Sequence, residues 1–585
     1  MSAETIKKES GYLAGTIADE LANDGPDFDH DAEMLLKFHG IYQQDDRDVR
    51  RARTQEKLPL HYSCMVRASV PGGVITPDQW LALDRMAGLA DDKLRLTTRQ
   101  GVQYHVVYKH ELRQLVAGIN SSLLTTLGAC GDVVRNVMAC PLPHPERRSI
   151  IDPVVAEMVT RFRPQTESYW ELWVDGEKAV SAERPRDVAP DALASIDDIE
   201  PIYGQAYLPR KFKIGIAWPG DNCVDIYTHD VGIVPTLTDG TSGDLTGFVI
   251  LAGGGMGMSH SRPDDTYPVL AQPIAWVPPA ALGDVVEAIV TTQRDHGNRD
   301  DRARARLKYL LEARGVEWLR DQISERTGLE LAAPVELPEW QVEAHHGWHT
   351  VTHENGVDRR TLGLPVPSGK VAGGLRWALK RLIADGVVDE IRVTPRQDLL
   401  LVGIDEREIT TVENLFHANG VRLASDNSAT RNLAIACPAL PTCTKALGEA
   451  ERVLPEVVDR LEKVLADTGN SGLPLRLNMT GCPNGCSRPY AAELGIVGRS
   501  KRGYDVFVGG SPAGDRLARR LRTDVPLTDI PDLLRPLLET FSRTTSDRTV
   551  SFGDWAWQQE WDELQALLPA DRSRRAQRDA ATVES

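Results

Sequence analysis

Residues Val70–Val107 read VPGGVITPDQWLALDRMAGLADDKLRLTTRQGVQYHVV, and residues Val366–Ile404 read VPSGKVAGGLRWALKRLIADGVVDEIRVTPRQDLLLVGI. Both open on a Val-Pro turn with glycine and pass through a helix-length segment with apolar residues at helical spacing. Both end on two short apolar runs split by TTRQ or TPRQ, so each copy predicts turn, helix, strand, turn, strand. Arg95 matches Arg392, Arg99 matches Arg396, and the match continues into RNVMACP at Arg135 and RNLAIACP at Arg431. A register held within one residue over about seventy positions marks an internal duplication.

A second pair of segments repeats in the same order. LPRKFKIGIAWPGDNC from Leu208 precedes DVGIVP and later AGGGMG, while LPLRLNMTGCPNGC from Leu473 precedes ELGIVG and later FVGG. The chain therefore reads A, B, A′, B′, and the expected fold is α+β with pseudo-twofold duplication. The expected divisions are an N-terminal extension (1–60), a first small half-domain (61–140), a first larger mixed-sheet domain (141–340), a second half-domain (341–425), a second mixed-sheet domain (426–560) and a flexible tail (561–585). Where the second copy has Cys482 and Cys486, the first has Trp218 and Cys223.

Composition limits the function classes. A chain of 585 residues with a net charge of −17 is acidic, which argues against sequence-blind nucleic-acid binding, so any cationic site must be local. The N-terminus lacks an apolar signal core, and no run approaches the ~20 apolar residues of a membrane helix, which predicts a cytoplasmic protein. Eight cysteines without an export signal are expected to be reduced.

Four of them cluster. Cys437 and Cys443 stand in ACPALPTC, and Cys482 and Cys486 in GCPNGC, joined by a segment, KALGEAERVLPEVVDRLEKVLADTG, of helical periodicity. Their C-x5-C and C-x3-C spacings fit an iron–sulfur cluster held by Pro- and Gly-turned loops better than structural zinc, and packed core thiols are a third reading. Cys64, Cys130, Cys140 and Cys223 are scattered and read as small buried side chains. Lys211 and Lys213 alternate with Phe212, which on a strand would turn both ammonium groups to one face and suit an anion; two surface lysines are the competing reading. AGGGMG at Ala252 lacks the pattern of a nucleotide loop.

The residues together carry a resemblance. ACPALPTC, TGCPNGC, RLTTRQ at Arg95, RNV at Arg135 and YLPRKFK at Tyr207 resemble the sulfite reductase hemoprotein (beta-component) family, within the sirohaem and [4Fe-4S] nitrite and sulfite reductases. It spans about Ser10 to about Trp555. The resemblance implies that the half-domains are ferredoxin-like and that the larger domains bind sirohaem and a [4Fe-4S] cluster. It further implies that Cys437, Cys443, Cys482 and Cys486 hold the cluster, with Cys486 also axial to the sirohaem iron. Arg67, Arg135, Lys211 and Lys213 would surround sulfite, Arg95, Arg99, Gln103 and His105 would contact the macrocycle, and Asn484 would join them in binding the cofactors. Arg95 and Arg99 have a structural alternative, because the repeat also carries Arg392 and Arg396, and His105 has that of a packed core histidine.

The implied activity is six-electron reduction of sulfite to sulfide, in sulfate assimilation and cysteine biosynthesis. The electron donor would be an NADPH-dependent flavoprotein subunit or ferredoxin. The paired lysines and Asn484 lean toward sulfite over the alternative, nitrite reduction to ammonia; a non-catalytic iron–sulfur or zinc protein is the distant alternative. Some ferredoxin-type relatives join a cysteine to a tyrosine covalently near the site, and Tyr42 and Cys130 are the matching residues here.

Overall fold

The computed structural model describes residues 1–166, 168, 200–341, 345–352, 358–547 and 549–570. Its contacts divide the chain into two units, Met1–Gly254 with Ala271–Val421, and Gly255–Leu270 with Arg422–Ser585. The strands, in chain order, fall into four sets of five. The first set is β1 (Ile41–Asp45), β2 (Tyr62–Ala68), β3 (Val74–Ile75), β4 (Leu94–Leu96) and β5 (Val102–Val107); the second is β6 (Met138–Ala139), β7 (Ile214–Ile216), β8 (Val231–Leu237), β9 (Leu245–Ala252) and β10 (Gln272–Val277). The third is β11 (Gly347–Thr352), β12 (Asp358–Leu364), β13 (Lys370–Val371), β14 (Glu390–Val393) and β15 (Leu399–Ile404); the fourth is β16 (Ile435–Ala436), β17 (Leu477–Thr480), β18 (Leu494–Gly498), β19 (Gly503–Val508) and β20 (Arg519–Pro526).

The duplication predicted from the repeat is present in the pairing. The half-domain sheets run β1-β2-β5-β4-β13 and β11-β12-β15-β14-β3, so each copy lends its short strand to the other's sheet. Lys370 pairs with Arg95, and Val74 with Arg392. The positions Val74 and Lys370 are themselves repeat mates, as the pseudo-twofold requires.

Two buried glutamines lock this exchange. The Gln100 amide donates to the carbonyls of Gly72 (3.1 Å), Ala139 (3.0 Å) and, across the pseudo-axis, Val393 (2.9 Å). Gln397 donates to Ser368 (3.2 Å) and across to Leu96 (3.3 Å). Each such bond contributes about 1 kcal/mol net, but a buried carbonyl left without a donor costs more. The turns demand close backbone approach: a Cβ on Gly73 would lie 2.3 Å from Val393 O, and one on Gly369 2.3 Å from Leu96 O. Helix Pro77–Met86, capped by Thr76 and Gln79, meets its repeat mate Gly373–Ala384 through Arg376, whose Nε donates to Asp84 Oδ1 at 2.6 Å.

The two larger sheets also match. In β6-β7-β8-β9-β10 the first three strands are parallel and the last two antiparallel, and β16-β17-β18-β19-β20 repeats this order. Parallel neighbours need crossovers, supplied by helices Pro145–Phe162 and Leu454–Asp467. The latter begins later than its periodicity suggests, with Pro455 in its first turn, where the missing N–H is harmless. Of the expected tail, Trp561–Ala566 is helical with Leu564 buried, and residues 571–585 lie outside the described residues.

Candidate functional site

In the second unit the thiol loops grow from the carboxyl ends of adjacent parallel strands, where open α/β sheets bind ligands. Cys437 follows β16, and Cys482 follows β17 by one glycine. Gly481 stitches the loops together: its N–H donates to Cys437 Sγ at 3.3 Å, and its carbonyl accepts from Leu447 (2.8 Å) and Gly448 (2.9 Å). A Cβ there would lie 2.5 Å from Ala439 Cβ, so only glycine fits. Gly485, with φ +64°, turns the chain between the second pair.

All four thiols are reduced; Cys437 and Cys482 are buried, Cys443 is half-buried and Cys486 is exposed. Burial, then the neighbouring Cys486, pushes the Cys437 thiol up to about 12. Cys482 is raised by burial, then by Cys486, Cys437 and Cys443, while the backbone N–H of Asn484 counteracts this. Such mutual effects mean that the four converge. Among the described residues the one group of three ligand atoms within 4.8 Å of one another lies elsewhere, at Cys140, Asp221 and Cys223. A single tetrahedral zinc would need thiolates about 3.8 Å apart. The wider gathering of four thiols on glycine-turned loops fits a cubane cluster.

In the first unit the predicted basic residues collect around the first half-domain sheet. Antiparallel register sets Arg67 opposite Gln103, Gln103 opposite Arg95 and Arg95 opposite Lys370, one row on one face. Like charges in one row repel, and an anion relieves them. With its amide oxygen toward Arg67, Gln103 accepts from Arg67 Nε at 2.8 Å and donates to His105 Nε2 at 3.2 Å. His105 Nδ1 lies 3.3 Å from Gln44 Oε1. Burial, then Arg95 and Arg67, holds His105 well below the usual range, so it is a neutral link in this chain.

The lysine pair keeps its alternation just before β7: Phe212 is fully buried, bridged to Val134, and Lys211 and Lys213 are half-buried. Burial, then Arg99, Lys211 and Arg306, holds Lys213 well below the usual lysine range. Arg306 is anchored by Asp230, with Nε to Oδ1 at 2.9 Å and Nη2 to Oδ2 at 2.7 Å, and Lys213 N–H donates to the same carboxylate at 2.9 Å. Lys308, two residues on, is lowered to about 7, first by burial and then by Arg306.

Arg135 donates to Gly131 O at 3.2 Å and interacts with Tyr42 and Cys130. Arg67 Nη1 lies 2.9 Å from Cys130 Sγ, and burial followed by Cys130 raises the Tyr42 phenol. Tyr42, Cys130, Arg67 and Arg135 are thus one cluster, and Cys130 is more than a packing residue. Arg99 donates to Asn136 O at 2.6 Å and Arg95 to Ser368 O at 3.2 Å, so both also hold backbone in place. Arg302 and Arg299 anchor the fold: Arg302 forks onto Asp132 (2.7 and 3.0 Å), and Arg299 donates to Tyr207 O at 2.7 Å. A surplus of buried and half-buried cations suits a polycarboxylate macrocycle and a small oxyanion. The glycines of AGGGMG serve close packing, since a Cβ on Gly254 would lie 2.2 Å from Tyr227 O.

The chain matches the family described as nitrite and sulphite reductase 4Fe-4S domain over residues 130–331 and 427–575, and the nitrite/sulfite reductase ferredoxin-like half domain over residues 60–122. It is 40% identical over 562 residues to a protein of Paenibacillus sp. named sulfite reductase [NADPH] hemoprotein beta-component, with 94% of each chain covered. A protein of Synechococcus elongatus named sulfite reductase [ferredoxin] is 37% identical, covering 96% of this chain and 90% of that one. The solved structure of the Mycobacterium tuberculosis NirA protein shares the fold, with a TM-score of 0.76 at 24% identity over 96% of this chain and 97% of that one. With its duplicated ferredoxin-like halves, its cationic face and its four convergent thiols, the chain belongs to the nitrite and sulphite reductase family.

Proposed function

We propose that this chain is the hemoprotein component of assimilatory sulfite reductase, reducing sulfite to hydrogen sulfide by six electrons for cysteine biosynthesis. Its cofactors are sirohaem and a [4Fe-4S] cluster, which when bound supply stored electrons one at a time. Cys437, Cys443, Cys482 and Cys486 would hold the cluster, and Cys486, the exposed thiol, would also ligate the sirohaem iron. The macrocycle's carboxylates are met by Arg95 and Arg99, with Gln103 and His105 holding the row in register and the Asn484 turn holding Cys482.

Arg67 and Arg135 offer planar donor forks to the sulfite oxygens, and Lys211 and Lys213 complete the cationic wall. The observation that carries this assignment is the state of Lys213. A lysine held well below its usual range by burial and by Arg99, Lys211 and Arg306 gives up a proton more readily than an ordinary lysine, and each departing oxygen must leave as water.

Electrons come from a donor protein. The names of the relatives include both NADPH and ferredoxin. No helix among the described residues is long and apolar enough to cross a membrane, and we place the enzyme in the cytoplasm. Steady-state kcat/KM for sulfite and for nitrite, each with reduced ferredoxin and with an NADPH flavoprotein reductase, tests the reading. Preference for sulfite is expected; preference for nitrite under both donors overturns it.

A further inference from the structure

The first copy keeps two of the four cluster positions. By repeat register Cys140 matches Cys437 and Cys223 matches Cys486, while Trp218 stands in place of Cys482 and no cysteine occurs in the PLPHPERR that follows Cys140. The strand ends are the same, with Cys140 directly after β6 and Trp218–Cys223 in the turn after β7. The retained thiols have acquired new neighbours. Their sulfurs and a carboxylate oxygen of Asp221 all lie within 4.8 Å of one another. Cys140 Sγ is 3.5 Å from Asp221 Oδ2, and His345 Nε2 is 3.6 Å from the same oxygen.

The two sulfurs and the Asp221 oxygen stand close enough to share one ion, and His345 stands beside that oxygen. With Zn–S of about 2.3 Å and Zn–O or Zn–N of about 2.0–2.1 Å, a tetrahedral zinc has S···O edges near 3.6 Å and O···N edges near 3.4 Å. We propose that Cys140, Asp221 and Cys223 form a mononuclear site for a divalent, zinc-class ion, with His345 beside the carboxylate, distinct from the cluster site of the second copy.

The outer groups support it. The Cys223 N–H donates to Asp221 Oδ1 at 3.0 Å, fixing the carboxylate so that Oδ2 faces inward. Arg147 Nη1 donates to Asp221 Oδ2 at 2.9 Å and to Cys140 Sγ at 3.4 Å. Two thiolates, one carboxylate, one guanidinium and a divalent ion sum to neutrality, the condition under which charges remain buried at low cost. Without the ion, two thiols and the Asp221–Arg147 pair are also neutral; binding exchanges two thiol protons for the metal and involves no redox change. Three protein ligands leave a fourth position for water or for His345. The ion clamps the segments that follow β6 and β7 to each other.

The test uses cofactor-loaded enzyme incubated with zinc chloride and desalted, measuring zinc and iron content and the zinc K-edge absorption spectrum. About one zinc per chain is expected, with two sulfurs near 2.3 Å and two nitrogen or oxygen ligands near 2.0–2.1 Å. The double variant Cys140→Ala, Cys223→Ala should lose the zinc and keep its iron. If that variant does not fold, the spectrum of the unaltered enzyme still decides. Zinc no higher than in the buffer overturns the proposal, as does a four-sulfur zinc environment, zinc retained by the double variant, or a Cys140–Cys223 disulfide in a non-reducing peptide map.

Discussion

The two half-domains of the first unit share a topology and differ along one row of residues. In the first, Arg67, Gln103, Arg95 and Lys370 cross four strands side by side; in the second the repeat mates are Gly363, Leu400, Arg392 and Val74. The second row keeps one cation, Arg392, buried against Glu390. The same divergence separates Arg135, set among Tyr42 and Cys130, from Arg431, which spends its charge on Asp459 (2.5 Å) and Glu462 (2.6 Å). Duplication preserved the backbone and its turn chemistry, and left the exposed faces free to specialise. One copy gathered cations along this row, and the other lost them.

The contrast can be broken most sharply at the thiols. Cys482→Ser should abolish sulfite reduction, on the order of 10³-fold or more, because a cluster deprived of a thiolate ligand is lost; retained turnover with a full visible spectrum would contradict the assignment. Next come the cations. Lys213→Met or Arg135→Ala should lower kcat/KM for sulfite by about 10²–10³-fold through lost proton supply and oxyanion binding. Arg431→Ala, at the mate of Arg135, should leave kcat/KM unchanged and cost about 1 kcal/mol of stability, since Asp459 is exposed and Glu462 half-buried. Equal kinetic losses at Arg135 and Arg431 would erase the proposed specialisation.

The pseudo-axis offers a finer comparison. Gln100 serves three carbonyls and accepts from Ala139 N at 2.8 Å, whereas Gln397 donates to two carbonyls. Gln100→Leu should therefore destabilise by about 3–5 kcal/mol and Gln397→Leu by roughly 2–3 kcal/mol, read from denaturant midpoints. The reverse order would mean that the two copies are not held in the way described.

A pH dependence marks the entries to the edge strands. His39, before β1, is fully buried with Nε2 donating to Leu13 O at 3.0 Å, and burial lowers it from 6.5 to about 4. His346, before β11, instead faces Asp398 at 3.0 Å. Because the folded form resists protonation of His39, its contribution is complete above about pH 6.5 and declines as pH falls toward about 4, by up to roughly 3 kcal/mol. His39→Gln should flatten that acid limb of the stability profile; an unaltered limb would assign it to other groups.

Much of this organisation was legible in the chain. The repeat carries its own turn residues and periodicity, and the four clustered cysteines sit on Pro-Gly loops whose spacing limits their use. What remained hidden is what the third dimension assembles from distant segments. The exchange of β3 and β13 places Lys370 beside Arg95, and no local pattern announces a residue borrowed from the other copy. Arg306 joins the lysine pair only through Asp230. Cys140, Asp221 and Cys223 read singly as packing or surface residues, because their proximity arises from the parallel pairing of β6 and β7 rather than from spacing.

The central claim is that the same strand ends bind a redox cluster in the second copy and not in the first. Iron content with the visible spectrum, measured side by side for the unaltered enzyme, Cys437→Ser and Cys140→Ser, addresses it directly. About five irons per chain, four in the cluster and one in sirohaem, are expected in the unaltered enzyme. Cys140→Ser should keep that iron and the sirohaem bands, and Cys437→Ser should lose the cluster iron. Iron lost from Cys140→Ser and retained by Cys437→Ser would contradict the account.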